Sequence, residues 1–203
     1  HYMAGAYGHS DMFADQYFHG RRPNGIYIPR FRNINQQTAR KNYVRGYGYQ
    51  GGASRGRSTN SEGIGSELKS RLQEPGPWSF WIGAWAEMLP YEDNRATLNK
   101  DSKDKWGMPT LTIDCTFREN ERNMRIDMQQ DAVEMLEKAG IKGVTGFDDA
   151  PPPGFCIHEM GTARMGHDPR TSVLNKWNQL HEVKNVFVTD GACMTSSACQ
   201  NPS

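Results

Sequence analysis

One segment leaves the chain little choice. In ENERNMRIDMQQDAVEMLEKAG, residues 119–140, the apolar side chains Met124, Met128, Ala132, Met135, Leu136 and Ala139 recur at intervals of three and four. That spacing sets them on one face of an α-helix, and Gly140 stands where a C-terminal cap belongs. A helix with a single apolar stripe must bury it against a second layer. The partner layer is legible around it as strands. TLTIDCTF alternates Leu111, Ile113, Cys115 and Phe117 against polar residues, the pattern of a half-buried strand. WSFWIGAWAEMLP, from Trp78, reads as a long strand with Trp78, Phe80, Ile82 and Ala84 on one side and Trp81 and Trp85 on the other. GIYIPRFRN, after Asn24, suits a strand in which Pro29 calls for an edge or a bulge.

Further elements are weaker. NYVRGYGYQGG sets Tyr43, Arg45, Tyr47 and Tyr49 on one face and Val44 and glycines on the other, a second strand. Residues 1–22 lack clean periodicity and are expected as loop or short helix. Gly51 to Pro77, rich in Gly, Ser and Arg and closed by Pro-Gly-Pro, is expected as an exposed excursion with a short helix over SELKSRLQ. A short strand around ATLN lies between two turns. PPPG at Pro151–Gly154 marks a boundary, and NVFVTDGA beyond it reads as a buried strand ending in Asp-Gly. The predicted class is α+β, a mostly antiparallel sheet covered by helices on one side. Two units are expected, 1–150 and 151–203.

With 24 Lys and Arg against 23 Asp and Glu, the chain has no field strong enough to select nucleic acid or an anionic membrane. The Arg-Gly-Tyr mixture of RGYGYQGGASRGRS is the one stretch that suits single-stranded RNA, and the balanced charge argues against it. Small neutral ligands remain. Five Trp, eight Tyr and eight Phe in 203 residues supply the bulk a folded core needs. The four cysteines form no C-x-x-C pair, so neither a metal site nor a disulfide framework follows. No apolar run reaches the roughly 18–20 residues that cross a bilayer, the start lacks a signal-peptide layout, and both ends read as cut from a longer chain.

The chemistry-bearing residues gather near the end. His158 follows Phe155, Cys156 and Ile157 at a strand end, where an imidazole can take a proton at neutral pH; a histidine so placed also serves as a hydrogen-bonded structural residue. The Gly161-Thr162 and Met165-Gly166 pairs permit close backbone approach to a flat ligand, or simply make a tight turn. Asp190-Gly191 offers a carboxylate and bare backbone to a cofactor, and equally a turn. Asn201 carries a donor and an acceptor that could hold an alcohol oxygen beside a histidine, and an Asn-Pro turn accounts for it too. No G-x-G-x-x-G opening a helix occurs anywhere.

Taken together, GFCIHEMGTARMGHDPRTSVLNKWNQLHEVKNVFVTDGACMTSSACQNPS resembles the C-terminal signature of the glucose-methanol-choline (GMC) oxidoreductases, flavoenzymes that oxidise alcohols and sugars. The resemblance rests on H-x-x-G-T-x-x-M-G from His158, Asp-Pro-x-x-S-V from Asp168 to Val173, V-x-D-G from Val188 to Gly191, and the closing Asn-Pro-Ser. LPYEDNRATLNKDSKDKWGMPTLTI is similar to the family's middle signature, and His1 to the remnant of an Asp-His motif.

The resemblance implies a substrate-binding portion, with residues 151–203 belonging to an FAD domain in the full enzyme and the N-terminal nucleotide-binding region absent, so that this piece alone is expected to be inactive. By it His158 is the general base that removes the hydroxyl proton while hydride passes to flavin N5, and Asn201 bonds the same oxygen. Asp190, Gly191, Ala192, Pro202 and Ser203 lie against the flavin, and Trp78, Trp81 and Trp85 offer stacking surfaces for a sugar. A bacterial sugar dehydrogenase is the expected type. Its electron acceptor is a cytochrome or quinone, and its compartment is the periplasm ahead of the cytoplasm. An oxygen-using oxidase and a non-catalytic carbohydrate-binding module are the alternatives.

Overall fold

The computed structural model describes residues 2–11, 25–57 and 62–201. His1, Pro202 and Ser203, all singled out above, lie outside the described residues. The elements in chain order are β1 (Tyr2–Ser10), β2 (Gly25–Ile28), β3 (Tyr47–Arg57), α1 (Ser66–Gln73), β4 (Pro75–Ala86), β5 (Arg95–Lys103), β6 (Pro109–Asp114), α2 (Glu119–Lys138) and β7 (Lys142–Phe147). Five strands form one sheet in the order β2-β3-β4-β1-β7, and β5 pairs with β6 as a separate ribbon. Every pairing between these strands is antiparallel, as the sequence predicts.

Helix α2 lies across one face. Its buried residues Met124, Met128, Ala132 and Leu136 meet Tyr2, Ala4 and Ala6 of β1, Ile82, Ala84 and Ala86 of β4, and Tyr47 and Tyr49 of β3 in one core. The strand residues share that face because the register pairs Tyr2 with Ala86, Ala4 with Ala84 and Tyr49 with Ala84. The helix ends as its glycine foretells. Gly140 has φ +79, the Gly140 N–H donates to the Glu137 carbonyl at 2.9 Å, and the Ile141 N–H donates to that of Leu136 at 3.0 Å, the paired bonds of a Schellman cap. At the other end the buried Glu121 carboxylate accepts the Arg118 N–H, the Leu89 N–H and the Tyr91 hydroxyl. A negative charge in the first turn of a helix also meets the positive end of its dipole.

The approach from β2 to β3 is bolted to the same helix. Tyr43 and Tyr47 donate their hydroxyls to Asp127, Tyr47 also to Asp131, and Arg40 and Arg32 pair with the two carboxylates. Burial pushes the Asp127 carboxyl up, but hydrogen bonds from Tyr43, Tyr47 and Arg40 outweigh it and hold the group below the ordinary aspartate range.

Several expectations are corrected. Residues 2–10 form a central strand, not loop or helix: on the core face of β1 the filling is done by Tyr2, Ala4 and Ala6, and alanines and glycines blur the alternation that larger apolar residues make plain. β3 starts at Tyr47 and runs to Arg57, into the predicted excursion, paired with β4 from Tyr47 to Arg57 and so close at Gly51 that a Cβ would meet Trp81 and Ile82. β4 begins inside the Pro-Gly-Pro expected to break it, at Pro75. β6 is exposed rather than half-buried, with Leu111 and Ile113 at 63% and 71%. Among the described residues one helix, not several, covers the sheet, since α1 buries no residue although it forms over SELKSRLQ. Finally, NVFVTDGA is no buried strand. Phe187 is 55% exposed and makes one isolated bridge, to Gln179.

Candidate active site

The far face of the sheet, opposite α2, is built from the odd residues of β1 and β4. The register aligns Met3 with Trp85, Gly5 with Gly83, and Tyr7 with Trp81. Trp81 and Trp85 both approach the point where a Cβ on Gly83 would stand, with ring centroids 6.5 Å apart in an edge-on pair. Tyr7 stacks on Phe147 beside them at 6.5 Å. Trp81 and Tyr7 are exposed, so an aromatic surface is open to a ligand. Trp78 does not join it. It projects to the face of Phe80 and Ile82, beside Phe80, which separates it from Trp81 and Trp85.

Residues 148–201 fold as turns. Leu174 is completely buried and anchors them. Met165 bridges Leu174, which bridges Leu180, the Gly166 N–H donates to the Leu174 carbonyl at 2.8 Å, and the Val173 N–H donates to that of Arg164 at 3.1 Å. Ser172 and His181 share a hydrogen bond of 3.0 Å. On this knot sits the stretch from His158 to Gly166. His158, half-buried, holds φ at +67, a left-handed conformation that costs a side-chain-bearing residue roughly 1–2 kcal/mol and persists where the surroundings impose it. Such outliers gather at working sites.

Just beyond His158 the chain enters a seam between two distant segments. Gly161, Ala163 and Met165 donate their N–H groups to the carbonyls of Gly191, Ala192 and Cys193 at 3.2, 2.9 and 3.0 Å. Asp190 opens the 3-10 turn Gly191–Cys193, its carboxylate accepting the Ala192 N–H at 2.9 Å. The fit is close: a Cβ on Gly191 would collide with Met160, and one on Gly161, at φ +83, would sit 3.2 Å from the Met194 carbonyl. The chain then crosses to the sheet. Cys199 is buried, its sulfur over Gly48, a residue of the far face registered with Trp85. So the seam brings the segment after His158 and the Asp190–Ala192 turn together, and the tail seats Cys199 against the far face two residues before the exposed Asn201.

Sequence reasoning missed a residue at that crossing. Glu87, one step past β4, is buried, and Arg30, Arg45, Gly46 and residues 196–200 join it around a cavity of about 330 Å³. Arg45 Nε lies 3.7 Å from Glu87 Oε2. Burial pushes the Glu87 carboxyl up, opposed first by the Arg45 guanidinium. Its Oε1 atom is buried without a hydrogen-bond partner among the described residues, an arrangement that costs about 1–3 kcal/mol. A glutamate in AEMLP gives no warning of this, because carboxylates at strand ends are ordinarily solvated.

The exposed apolar side chains beside His158 suit the edge of a flat ring: Phe155 and Ile157 flank it, while residues 190–192 are exposed or half-exposed, with Met160 packed against Gly191. The sequence matches the model of the GMC oxidoreductase family over residues 90–203, more than half of the chain. The chain belongs to this family. It is 38% identical over 125 residues to 2-methyl-1,2-propanediol dehydrogenase of Mycolicibacterium austroafricanum, covering 58% of this chain and 21% of that protein. It is 32% identical over 138 residues to the fructose dehydrogenase large subunit of Gluconobacter japonicus, covering 68% and 25%. With paromamine 6'-oxidase of Streptomyces fradiae it shares 34% over 113 residues, covering 56% and 20%. The chain thus spans about a fifth to a quarter of the length of these relatives. Among the described residues no helix is long and apolar enough to cross a membrane.

Proposed function

We propose that this chain is the substrate-side and active-site portion of an FAD-dependent GMC dehydrogenase that oxidises a CH–OH group of a sugar or polyol. FAD, when bound, supplies the hydride acceptor. His158 takes the hydroxyl proton, and Asn201 holds the same oxygen from the opposite segment. Asp190, Gly191 and Ala192, with Pro202 and Ser203, border the flavin largely through main-chain groups. Trp81 and Trp85 receive the apolar face of the substrate. The chain divides at Pro151 into a substrate-binding unit and a flavin-contacting segment.

One observation carries this reading: the seam that ties Gly161, Ala163 and Met165 to Gly191, Ala192 and Cys193. It joins the segment that follows the left-handed His158 to the turn at 190–193, and the tail beyond that turn seats Cys199 on Gly48, whose register partner is Trp85; this supports the reading. The named relatives are a 2-methyl-1,2-propanediol dehydrogenase, a fructose dehydrogenase subunit and a paromamine 6'-oxidase, which supports a hydroxyl-bearing small molecule. In this reading electrons leave to a cytochrome or quinone, in the bacterial periplasm. The test is anaerobic mixing of the full-length protein with a panel of sugars and polyols. Loss of the oxidised flavin absorbance with one of them is expected; a protein that carries no flavin, as a carbohydrate-binding module would, contradicts the reading.

An oxidase is the second reading, favoured by the oxidase among the relatives. Substrate-dependent hydrogen peroxide in air would select it.

A further inference from the structure

The cavity between the end of β4 and the tail has no part in proton removal, yet it is built for a polar occupant. At about 330 Å³ it falls within the range of small-molecule sites and well beyond the space of one water. Arg30, Arg45, Glu87, Ser196, Ser197 and Gln200 give it a polar lining. The Glu87 side chain is 6% exposed, and one of its carboxylate oxygens is buried without a hydrogen-bond partner among the described residues. Arg30 is committed to main chain, donating to the carbonyls of Arg32 and Asn33 at 3.1 and 2.8 Å. Arg45 faces the carboxylate from a left-handed backbone, φ +71, whose carbonyl accepts from Asn33 at 2.7 Å. Its Nε stands 3.7 Å from Glu87 Oε2, too far for a direct hydrogen bond. An oxygen about 2.8 Å from both atoms spans that gap, accepting from Nε and donating to the carboxylate. A hydroxyl is the ligand group that does both at once.

The neighbouring surface suits the other side of the same kind of ligand. Cys199, in the cavity wall, lies with its sulfur over Gly48, whose register partner is Trp85, and Glu87 follows Trp85 by two residues. A polar recess with an acceptor and a donor side by side thus adjoins the end of the aromatic face. A sugar has this two-sided chemistry: C–H bonds on its ring face lie on aromatic rings, and hydroxyls at its rim fill polar recesses. We propose that the cavity is a carbohydrate subsite, in which the Glu87 carboxylate and the Arg45 guanidinium hold one hydroxyl of a sugar whose apolar face lies on Trp85. This deepens the functional reading above and rests on it for the substrate class. The subsite selects a polyhydroxylated substrate over a simple alcohol, which has no second hydroxyl to place there.

The test measures binding rather than turnover. Full-length protein, kept reduced without air so that a bound sugar is not oxidised, is titrated calorimetrically with D-glucose, D-fructose and D-galactose. Singly deoxygenated analogues of whichever binds best follow. Glu87→Gln keeps the shape of the side chain and removes its charge, and is expected to weaken that sugar on the order of 10-fold. Deleting the hydroxyl that enters the cavity is expected to weaken binding to native protein by a similar factor and to Glu87→Gln hardly further, because both changes remove one interaction. The other analogues lose equally with both proteins, which a merely structural role for Glu87 would not single out. If Glu87→Gln does not accumulate as folded protein, Arg45→Gln takes its place. That side chain is 44% exposed, and the same pattern is expected with a several-fold loss.

Native affinity in the folded variant, losses that add for every analogue, or a native protein that binds none of the three sugars overturns the proposal. Should the full-length protein carry no flavin, the functional reading fails instead. The same titrations of that protein still decide whether the cavity holds a sugar.

Discussion

At the scale of single residues the site is held by unusual backbone rather than by many side-chain bonds. Gly161 shows the margin. Its φ of +83 and the 3.2 Å from an added Cβ to the Met194 carbonyl leave room for hydrogen alone. Gly161→Ala should lower the thermal stability of the whole protein by about 1–2 kcal/mol and slow flavin reduction, because the seam beside His158 must shift. Tryptophans on opposite faces give a second contrast. Trp81→Ala should raise KM by roughly 3- to 10-fold, the worth of an aromatic contact of about 0.5–1.5 kcal/mol, with kcat little changed. Trp78→Ala, on the other face of β4, should leave KM at the native value. Steady-state kinetics on the two variants reads both.

At the scale of elements the chain was legible where side chains are large and regularly spaced. α2 was plain from Met124, Met128, Ala132 and Leu136, and its end from Gly140. The short helix over SELKSRLQ and the edge strand before Pro29 followed from turn chemistry. β1 was not legible, since a strand covered by a helix can meet it with alanine, and Ala4, Ala6 and Gly8 carry little periodic signal. Nor was the link between Asp127, Asp131 and the arginines and tyrosines ahead of β3, which joins positions more than 80 apart.

That link predicts a pH dependence. Asp127 is held below the ordinary aspartate range in the folded protein, so its stabilisation is fully present above about pH 4 and is lost as pH falls through the lowered folded-state value. Asp127→Asn should be less stable than native at neutral pH, by about 1–3 kcal/mol for weakened hydrogen bonds to a half-buried charge, and the gap should narrow on acidification. Denaturant unfolding at a series of pH values measures it.

At the scale of the whole molecule, the sheet and α2 make a self-sufficient core, whereas residues 151–201 expose much apolar surface. Phe155 is 77% exposed, and Trp177, Val183, Val186 and Phe187 are exposed too. The strand predicted over NVFVTDGA is apolar as its pattern says, but nothing among the described residues buries Val186 and Phe187. Exposed apolar side chains that adjoin one another mark an interface. The 203-residue chain is therefore expected to bind a fluorescent hydrophobic dye that the full-length protein binds weakly; equal binding by both would show that the surface stays open. The site motifs were legible as a set, His158 to Gly166 with Asp190 to Asn201, because each is a compact string. Glu87 was not, because its significance comes from a tail more than 100 residues away.

The central claim is that the imidazole of His158 removes the substrate's hydroxyl proton. Rapid anaerobic mixing of full-length His158→Ala with its sugar or polyol substrate tests it most directly. The expected result is a protein that keeps its flavin and reduces it about 100- to 10,000-fold more slowly. Reduction at the native rate would contradict the account.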